Sequence, residues 1–277
     1  MNARARARAL VTGAGRGLGK AIALELAARG HHVFAGVRAQ EAGAALLREA
    51  ESLPGAVELQ VIDVAALGDY TPPEDLDILI NNAGYRGPYL PIEEAGMDEW
   101  QRTFATNFFG VVDLTRRVVP GMRRARSGVI CNVGSLGATT PLPFYSIYRT
   151  SKVAVSALTE ALRIELAPFG VRVIEIPIGG VDTDMFRSSI AHRAPDAVEY
   201  EAYRPMAEQQ LENSKGIGAS AISAEAAACN LVDELFRPGP MRRACDPNAV
   251  KGLTWLAQSS EEERLATMLA RFKVDAP

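Results

Sequence analysis

The sequence predicts an α/β fold, a single doubly wound domain on a parallel sheet that carries a C-terminal helical flap. Three observations lead there. Short apolar runs alternate with longer helical patterns from Leu10 to about Glu175, several of the runs are continuously apolar, and a glycine-rich stretch joins the first run to the first helical pattern. A continuously apolar strand has no face to show to water, so helices must cover the sheet on both sides. Strand and helix in alternation imply right-handed crossovers and parallel pairing.

Taken in order, strands are expected over 9–12, 32–37, 57–62, 76–81, 129–133 and 171–176, and helices over 18–29, 41–52, 98–126 and 146–167. The crossover from Asp63 to Leu76 is short, and adjacent Pro72 and Pro73 leave room there for little more than a turn or two of helix. From Met185 to Gly218 strand alternation is lost and the chain becomes polar, with Tyr200, Tyr203, Pro205 and Met206 interspersed. Insertions beyond the carboxyl ends of strands commonly form lids, so 185–218 is expected to be a substrate flap. A helix over 224–236, an edge strand over 241–245 and a terminal helix over 259–272 complete the reading. No repeat or linker divides the chain, and residues 1–277 are expected to form one domain.

Composition excludes several functions. The 277 residues are 48% hydrophobic with a net charge of -3, which suggests neither a nucleic-acid footprint nor a polybasic membrane patch. Arg4, Arg6 and Arg8 alternate with alanine and run straight into a strand, as a solvated lead-in rather than a targeting arm. No stretch has the ~20 apolar residues of a membrane span. Cys131, Cys229 and Cys245 are odd in number and lack metal-ligand spacing, which fits reduced thiols in a cytoplasmic protein. His31, His32 and His192 form no ligand cluster, so no metal site is expected.

The glycine stretch, Thr12 to Gly19, holds Gly13, Gly15, Arg16, Gly17 and Leu18 between a strand and a helix. Without side chains at Gly13, Gly17 and Gly19 the backbone can turn tightly and approach a pyrophosphate at the positive end of the helix. The end of the second strand selects the dinucleotide. An NAD-binding unit places Asp or Glu there, whereas this chain has Val37 and Arg38, with Arg16 as a second cation inside the loop. Two guanidinium groups without a carboxylate suit a 2′-phosphate, which predicts NADP(H).

Tyr148 and Lys152 stand four residues apart, about one helical turn, just after a strand followed by Ser135. A neighbouring cation lowers a phenol's pKa and would tune Tyr148 as an acid/base.

With the glycine loop, Asn81-Asn82-Ala83-Gly84, Asn107, Ser135, Tyr148 and Lys152 in order, the chain resembles the short-chain dehydrogenase/reductase family over nearly its whole length. That resemblance implies a Rossmann domain and interconversion of a carbonyl and an alcohol. It implies that Tyr148 is the general acid/base, that Lys152 lowers its pKa and binds the nicotinamide ribose, that Ser135 polarises the substrate oxygen, and that Asn107 anchors a relay water. Asn107 also reads as a helix-kink residue bonding to backbone, and the two roles can hold together. Asn81 would tie central strands together, with Ala83 and Gly84 leaving space beside the adenosine ribose and Asn82 a further cofactor-binding candidate. Asp63 with Val64 would bracket the adenine, although a strand-terminal aspartate also caps turns. Val181 and Thr183 match the nicotinamide loop, but Ile178 stands where the family carries proline, with the proline displaced to Pro177. Two stretches are closest to the hydroxysteroid and retinol dehydrogenase-like branch. Leu136, Leu142, Tyr145, Met185 and Phe186 are candidates for an apolar substrate pocket. Related proteins pair helices corresponding to 98–126 and 146–167 across subunits, which implies a homodimer or homotetramer, although the apolar residues of these helices can instead be satisfied by the sheet. Two other classes share these features: a redox sensor without turnover, which would be expected to lose Tyr148 or Lys152, and an epimerase or dehydratase with a different glycine spacing.

Overall fold

The computed structural model describes residues 6–191, 195–215 and 217–273; Arg4, His192 and the remaining parts of 185–218 lie outside the described residues. The chain runs β1 (Arg8–Thr12), α1 (Gly17–Ala28), β2 (His32–Val37), α2 (Ala44–Ala50), β3 (Ala56–Val61), β4 (Ile78–Asn81), α3 (Met97–Phe104), α4 (Gly110–Ala125), β5 (Gly128–Ser135), α5 (Ser146–Leu166) and β6 (Val171–Ile178). Beyond it come β7 (Val181–Asp182), α6 (Asp184–Ala191), α7 (Pro195–Val198), α8 (Arg204–Ser214), β8 (Ile222–Ser223), α9 (Ala224–Phe236), α10 (Pro247–Gln258) and α11 (Glu261–Arg271).

All six main strands are parallel, in the order β3-β2-β1-β4-β5-β6, so the winding reverses between β1 and β4. That reversal opens a crevice beyond the carboxyl ends of β1 and β4, where a doubly wound sheet binds ligands. One face buries Ile22, Leu26, Ile78, Ile174 and Leu231 against α1 and α9; the other buries Leu10, Leu79, Leu114, Met122 and Ile130 under α4. The continuous apolar runs reflect this two-sided covering.

Several details differ from the sequence expectation. Residues 63–76 form turns with no helix, and Tyr70 and Leu67 lie beside the second face in its place. The long helix over 98–126 is divided: between α3 and α4, Ala105–Phe109 winds as a π-helical turn. Residues 241–245 are not a regular strand, because only one bridge, Arg242 to Glu175, joins them to β6. Beyond it the chain is drawn into α10, whose start Asp246 caps from its side chain to the Ala249 N–H at 2.9 Å.

Candidate active site

From Thr12 the chain enters α1 through Gly13 at φ +68° and Gly17 at φ +54°, angles that L side chains rarely adopt. Gly19 is needed for space, since a Cβ there would stand 2.3 Å from the Gly13 carbonyl oxygen and 2.4 Å from Asn82 Nδ2. Arg16 is the extended N-cap residue and gives no side-chain cap, and no acidic residue occupies the first turn. The leading N–H groups of α1 therefore keep their donor capacity and partial positive charge. Gly15 packs against Ala42, Leu18 is buried, and Arg16 and Arg38 are exposed at the loop and at the end of β2. An uncapped helix start, a loop without side chains and two exposed guanidiniums are a donor set that fits a phosphorylated dinucleotide.

A clip holds the two sides of the crevice together. The Thr12 hydroxyl donates to Ile80 O at 3.3 Å and accepts from the N–H groups of Asn82 and Ala83, each at 3.0 Å. Asn82 Nδ2 returns a bond to Thr12 O at 2.9 Å. Deeper, Asn81 Nδ2 donates to Asn132 Oδ1 at 2.8 Å, and Asn132 Nδ2 to Thr159 on α5 at 2.8 Å. Asn81 thus ties β4 to β5, as expected. Asp63 accepts from Ala65 N–H at 3.0 Å and so caps its turn, while the Val64 carbonyl lies against Gly110.

Ser135 ends β5, its Oγ accepting from Gly137 N–H at 3.0 Å and lying within hydrogen-bonding reach of the Tyr148 phenol. Tyr148 lies in the first turn of α5. One turn on, buried Lys152 donates from Nζ to Val133 O at 3.0 Å, with Nζ 6.0 Å from the Tyr148 ring centroid. Gly84 adjoins both: a Cβ there would be 4.0 Å from Lys152 Nζ and 3.7 Å from Asn107 Oδ1. Burial pushes Tyr148 up to about 12, against opposing contributions from Ser135 and the Arg86 charge. Burial also brings Lys152 down to about 8, with Glu175 acting against it. Loss of hydration is the largest influence on Tyr148, and the cation acting against it is Arg86 rather than Lys152.

Asn107 sits buried in the π-helical turn. Its Oδ1 accepts from Tyr85 N–H at 2.7 Å, and its Nδ2 donates to Tyr85 O at 2.8 Å and Ser151 Oγ at 3.0 Å. Its side chain therefore anchors the loop after β4. The Tyr85 hydroxyl adds a bond to Glu99 at 3.0 Å.

Aromatic residues pack together beside this region. Tyr89 stacks on Tyr145 at 4.9 Å, and Tyr145 tilts onto Tyr148 at 5.0 Å. Phe144, Leu142, Ala197, Tyr203, Met206 and Ala207 join the same cluster. Of the remaining substrate candidates, Leu136 packs on Gly252 of α10 and Phe186 is half-buried in α6. Met185 is 44% exposed on α6 and is not part of the cluster. A cleft of about 290 Å³ opens elsewhere on α5, lined by Arg149, Val153, Glu160, Arg242 and Arg264. It holds none of the expected site residues.

Beyond β6 the displaced proline has a structural counterpart. The strand continues through Pro177 to Ile178, which is in register with Ser135. The Gly179 and Gly180 N–H groups then bond the Asp246 carboxylate at 2.8 and 3.2 Å. Val181 is buried, and Thr183 accepts from Phe186 N–H at 3.2 Å with its methyl facing Gly17, so this loop closes onto the glycine loop.

The sequence reading did not single out Thr12, Arg86, Tyr89, Asn132, Glu175 or Asp246. Asn132 and Glu175 did carry a signal, as polar residues inside otherwise apolar strand runs. Glu175 is 1% exposed, ion-paired with Arg242 at 2.9 Å and bonded by Ser156 at 2.5 Å. Arg86 and Tyr89 lie in an aperiodic loop whose placement depends on distant Asn107 and Glu99. Among the described residues no cluster of three potential metal ligands occurs, and no helix is long and apolar enough to cross a membrane.

A family model described as short chain dehydrogenase matches residues 7–194. An uncharacterized oxidoreductase, YusZ of Bacillus subtilis (strain 168), is 32% identical over 226 residues, 75% of this chain and 78% of that protein. Among solved structures, a short chain dehydrogenase from Burkholderia cenocepacia J2315 in complex with NADP superposes with a TM-score of 0.70 at 26% identity, covering 98% of each chain. An NAD+-bound xylitol dehydrogenase gives 0.71 at 25% identity, covering 85% of this chain and 94% of that one. These likenesses include both dinucleotides and do not single out a hydroxysteroid or retinol branch.

Proposed function

Because the chain belongs to the short-chain dehydrogenase/reductase family of oxidoreductases, we propose that it is an NADP(H)-dependent enzyme interconverting a ketone or aldehyde and an alcohol. The observation that carries this reading is the convergence of Ser135, Tyr148 and Lys152 beside Gly84 and the α1 glycine loop. Bound NADPH supplies a hydride to the carbonyl carbon. Ser135 holds the carbonyl oxygen by a hydrogen bond, and Tyr148 delivers its phenolic proton there, giving the alcohol. A phenol with a pKa near 12 is fully protonated at neutral pH, ready to act as the acid in reduction. Lys152, fixed by Val133 O, would bind the nicotinamide ribose. Arg16 and Arg38 would hold the 2′-phosphate, Gly13 to Gly19 the pyrophosphate, Asp63 and Val64 the adenine, Asn82, Ala83 and Gly84 the adenosine ribose, and Val181 and Thr183 the nicotinamide amide.

The aromatic cluster around Tyr145 and Leu142 favours a substrate with an apolar body, covered by 185–218. Phe109, Val153 and Ile164 are exposed on the helical elements proposed to pair in a homodimer or homotetramer. Unpaired Cys131, Cys229 and Cys245 suit the reducing cytoplasm. The test is an NADPH-oxidation screen over ketones, aldehydes, steroids and acyl compounds, with Tyr148→Phe as blank. Turnover should fall about 1,000-fold or more in that variant with NADPH affinity retained. Activity that survives the substitution would refute the assignment.

A further inference from the structure

Arg86 is the one cation of the loop after β4, and the reaction leaves its charge unused. The loop is rigidly held: Asn107 brackets the Tyr85 backbone from both sides, Glu99 takes its hydroxyl, and the Arg102 guanidinium lies 4.2 Å from its ring centroid. Arg86 follows directly. Its guanidinium lies over the Tyr89 ring at 5.1 Å, the first step of a stack continuing through Tyr145 to Tyr148. Nη2 donates to Ser188 Oγ on α6 at 3.3 Å, joining the loop to the flap, and buried Tyr89 and Ser189 share a second such bond at 3.0 Å. The other two nitrogens, Nε and Nη1, are buried and make no hydrogen bond, and among the described residues no carboxylate pairs with the group. A guanidinium desolvated in this way is costly unless an anion completes it. Its charge also acts on the Tyr148 phenol, which places it within electrostatic reach of the reacting oxygen.

We propose that Arg86 holds a carboxylate on the substrate, which makes the substrate an oxo acid and the product the corresponding hydroxy acid. The inference rests on the reductase reading and specifies its substrate class. Both two-donor edges of the guanidinium include Nη2, and Ser188 takes one of its two protons, which leaves one edge with both donors open to the two oxygens of a carboxylate; one fixed positive charge balances a carboxylate rather than a phosphate dianion. The buried Tyr89 and Tyr145 rings lie between Arg86 and Tyr148 and set the spacing of the two groups, so the carbon chain that separates carboxylate from carbonyl would pass beside this stack. Pinning the distant end of the substrate fixes the carbonyl against Ser135 and Tyr148. Ser188 makes the contact dependent on the flap, so the carboxylate would also hold the flap closed.

The experiment measures kcat/KM with NADPH for oxo acids of increasing carbonyl-to-carboxylate spacing, each beside its methyl ester, in the wild type, Arg86→Met and Arg86→Lys. The wild type should prefer one acid over its ester. In Arg86→Met that preference should fall about 100-fold, the usual scale for losing a charged hydrogen-bonded partner, with Arg86→Lys between the two. NADPH affinity is read by fluorescence in all three proteins, and hexanoate and hexanamide are titrated calorimetrically into the NADP+ complexes. Esters reduced as well as acids by the wild type, or equal losses for both in Arg86→Met, would overturn the proposal. So would a change confined to NADPH affinity, which would assign Arg86 to the cofactor. Hexanoate binding that requires Arg86, with no probe reduced, would uphold the anion site and overturn the reductase reading instead.

Discussion

Lys152 gives the fold a pH dependence of definite sign. The residue is 6% exposed, and burial lowers its pKa from 10.5 to about 8. Between those values the unfolded chain holds a proton that the folded chain has released, so stability rises with pH there. The slope is about 1.4 kcal/mol per pH unit for one proton, which gives roughly 2 kcal/mol from about pH 8 to pH 9.5 and roughly 3 kcal/mol across the whole window. Below the window the same burial is a fixed cost. Buried Cys245, pushed up to about 12, and buried Cys131, also raised, act in the opposite sense above the ordinary thiol value. Tyr148, raised to about 12, opposes it above about pH 10. A comparison isolates the lysine: urea unfolding of wild type and Lys152→Met across this range, without cofactor. The wild type should gain about 2 kcal/mol on the variant between pH 8 and pH 9.5. A difference that stays flat, or falls, would show that the ammonium keeps its proton in the folded protein and would refute the reasoning.

Three further outcomes are expected. Gly19→Ala drives a methyl into the Gly13 carbonyl, and backbone cannot step aside cheaply, so thermal denaturation should show a loss of about 3 kcal/mol and titration a weakened hold on NADPH. Arg38→Asp should reverse the preference between NADPH and NADH in paired titrations; unchanged NADPH affinity would remove Arg38 from the 2′-phosphate site. Asp246→Ala leaves the Gly179, Gly180 and Ala249 N–H groups without their acceptor, costing about 1 to 3 kcal/mol in chemical denaturation and loosening the loop beside the nicotinamide, visible as a raised KM for cofactor.

The strand positions and the loop-to-helix entry were legible because they depend on local chemistry: apolar runs, glycines and breakers. Thr12 to Gly19 kept its predicted form for that reason. A kink at Asn107 with bonds to backbone is among the sequence expectations, but its π-helical form is not legible, since a helical pattern hides one inserted residue and the partner, the Tyr85 backbone, is distant in sequence. The 241–245 segment carried a strand-like pattern, but beyond the Glu175 bridge Asp246 draws the chain toward α10. Ser135, Tyr148 and Lys152 could be found through their spacing. The direction of the Tyr148 shift could not, because burial depends on Tyr145, Ala197 and Ala207, which only the folded chain brings together.

The chain of amides and hydroxyls from Asn81 through Asn132 to Thr159 acts as a registration key for the sheet. Parallel strands rich in Val and Ile offer near-equivalent pairings, and a slip of one residue turns every side chain to the opposite face. Asn81 stands opposite Asn132, and only that alignment satisfies both buried amides. Leucines of similar size at both positions would remove the polar burial and could raise stability. They would also free β5 to settle out of step, turning Ser135 away from the helix that carries Tyr148.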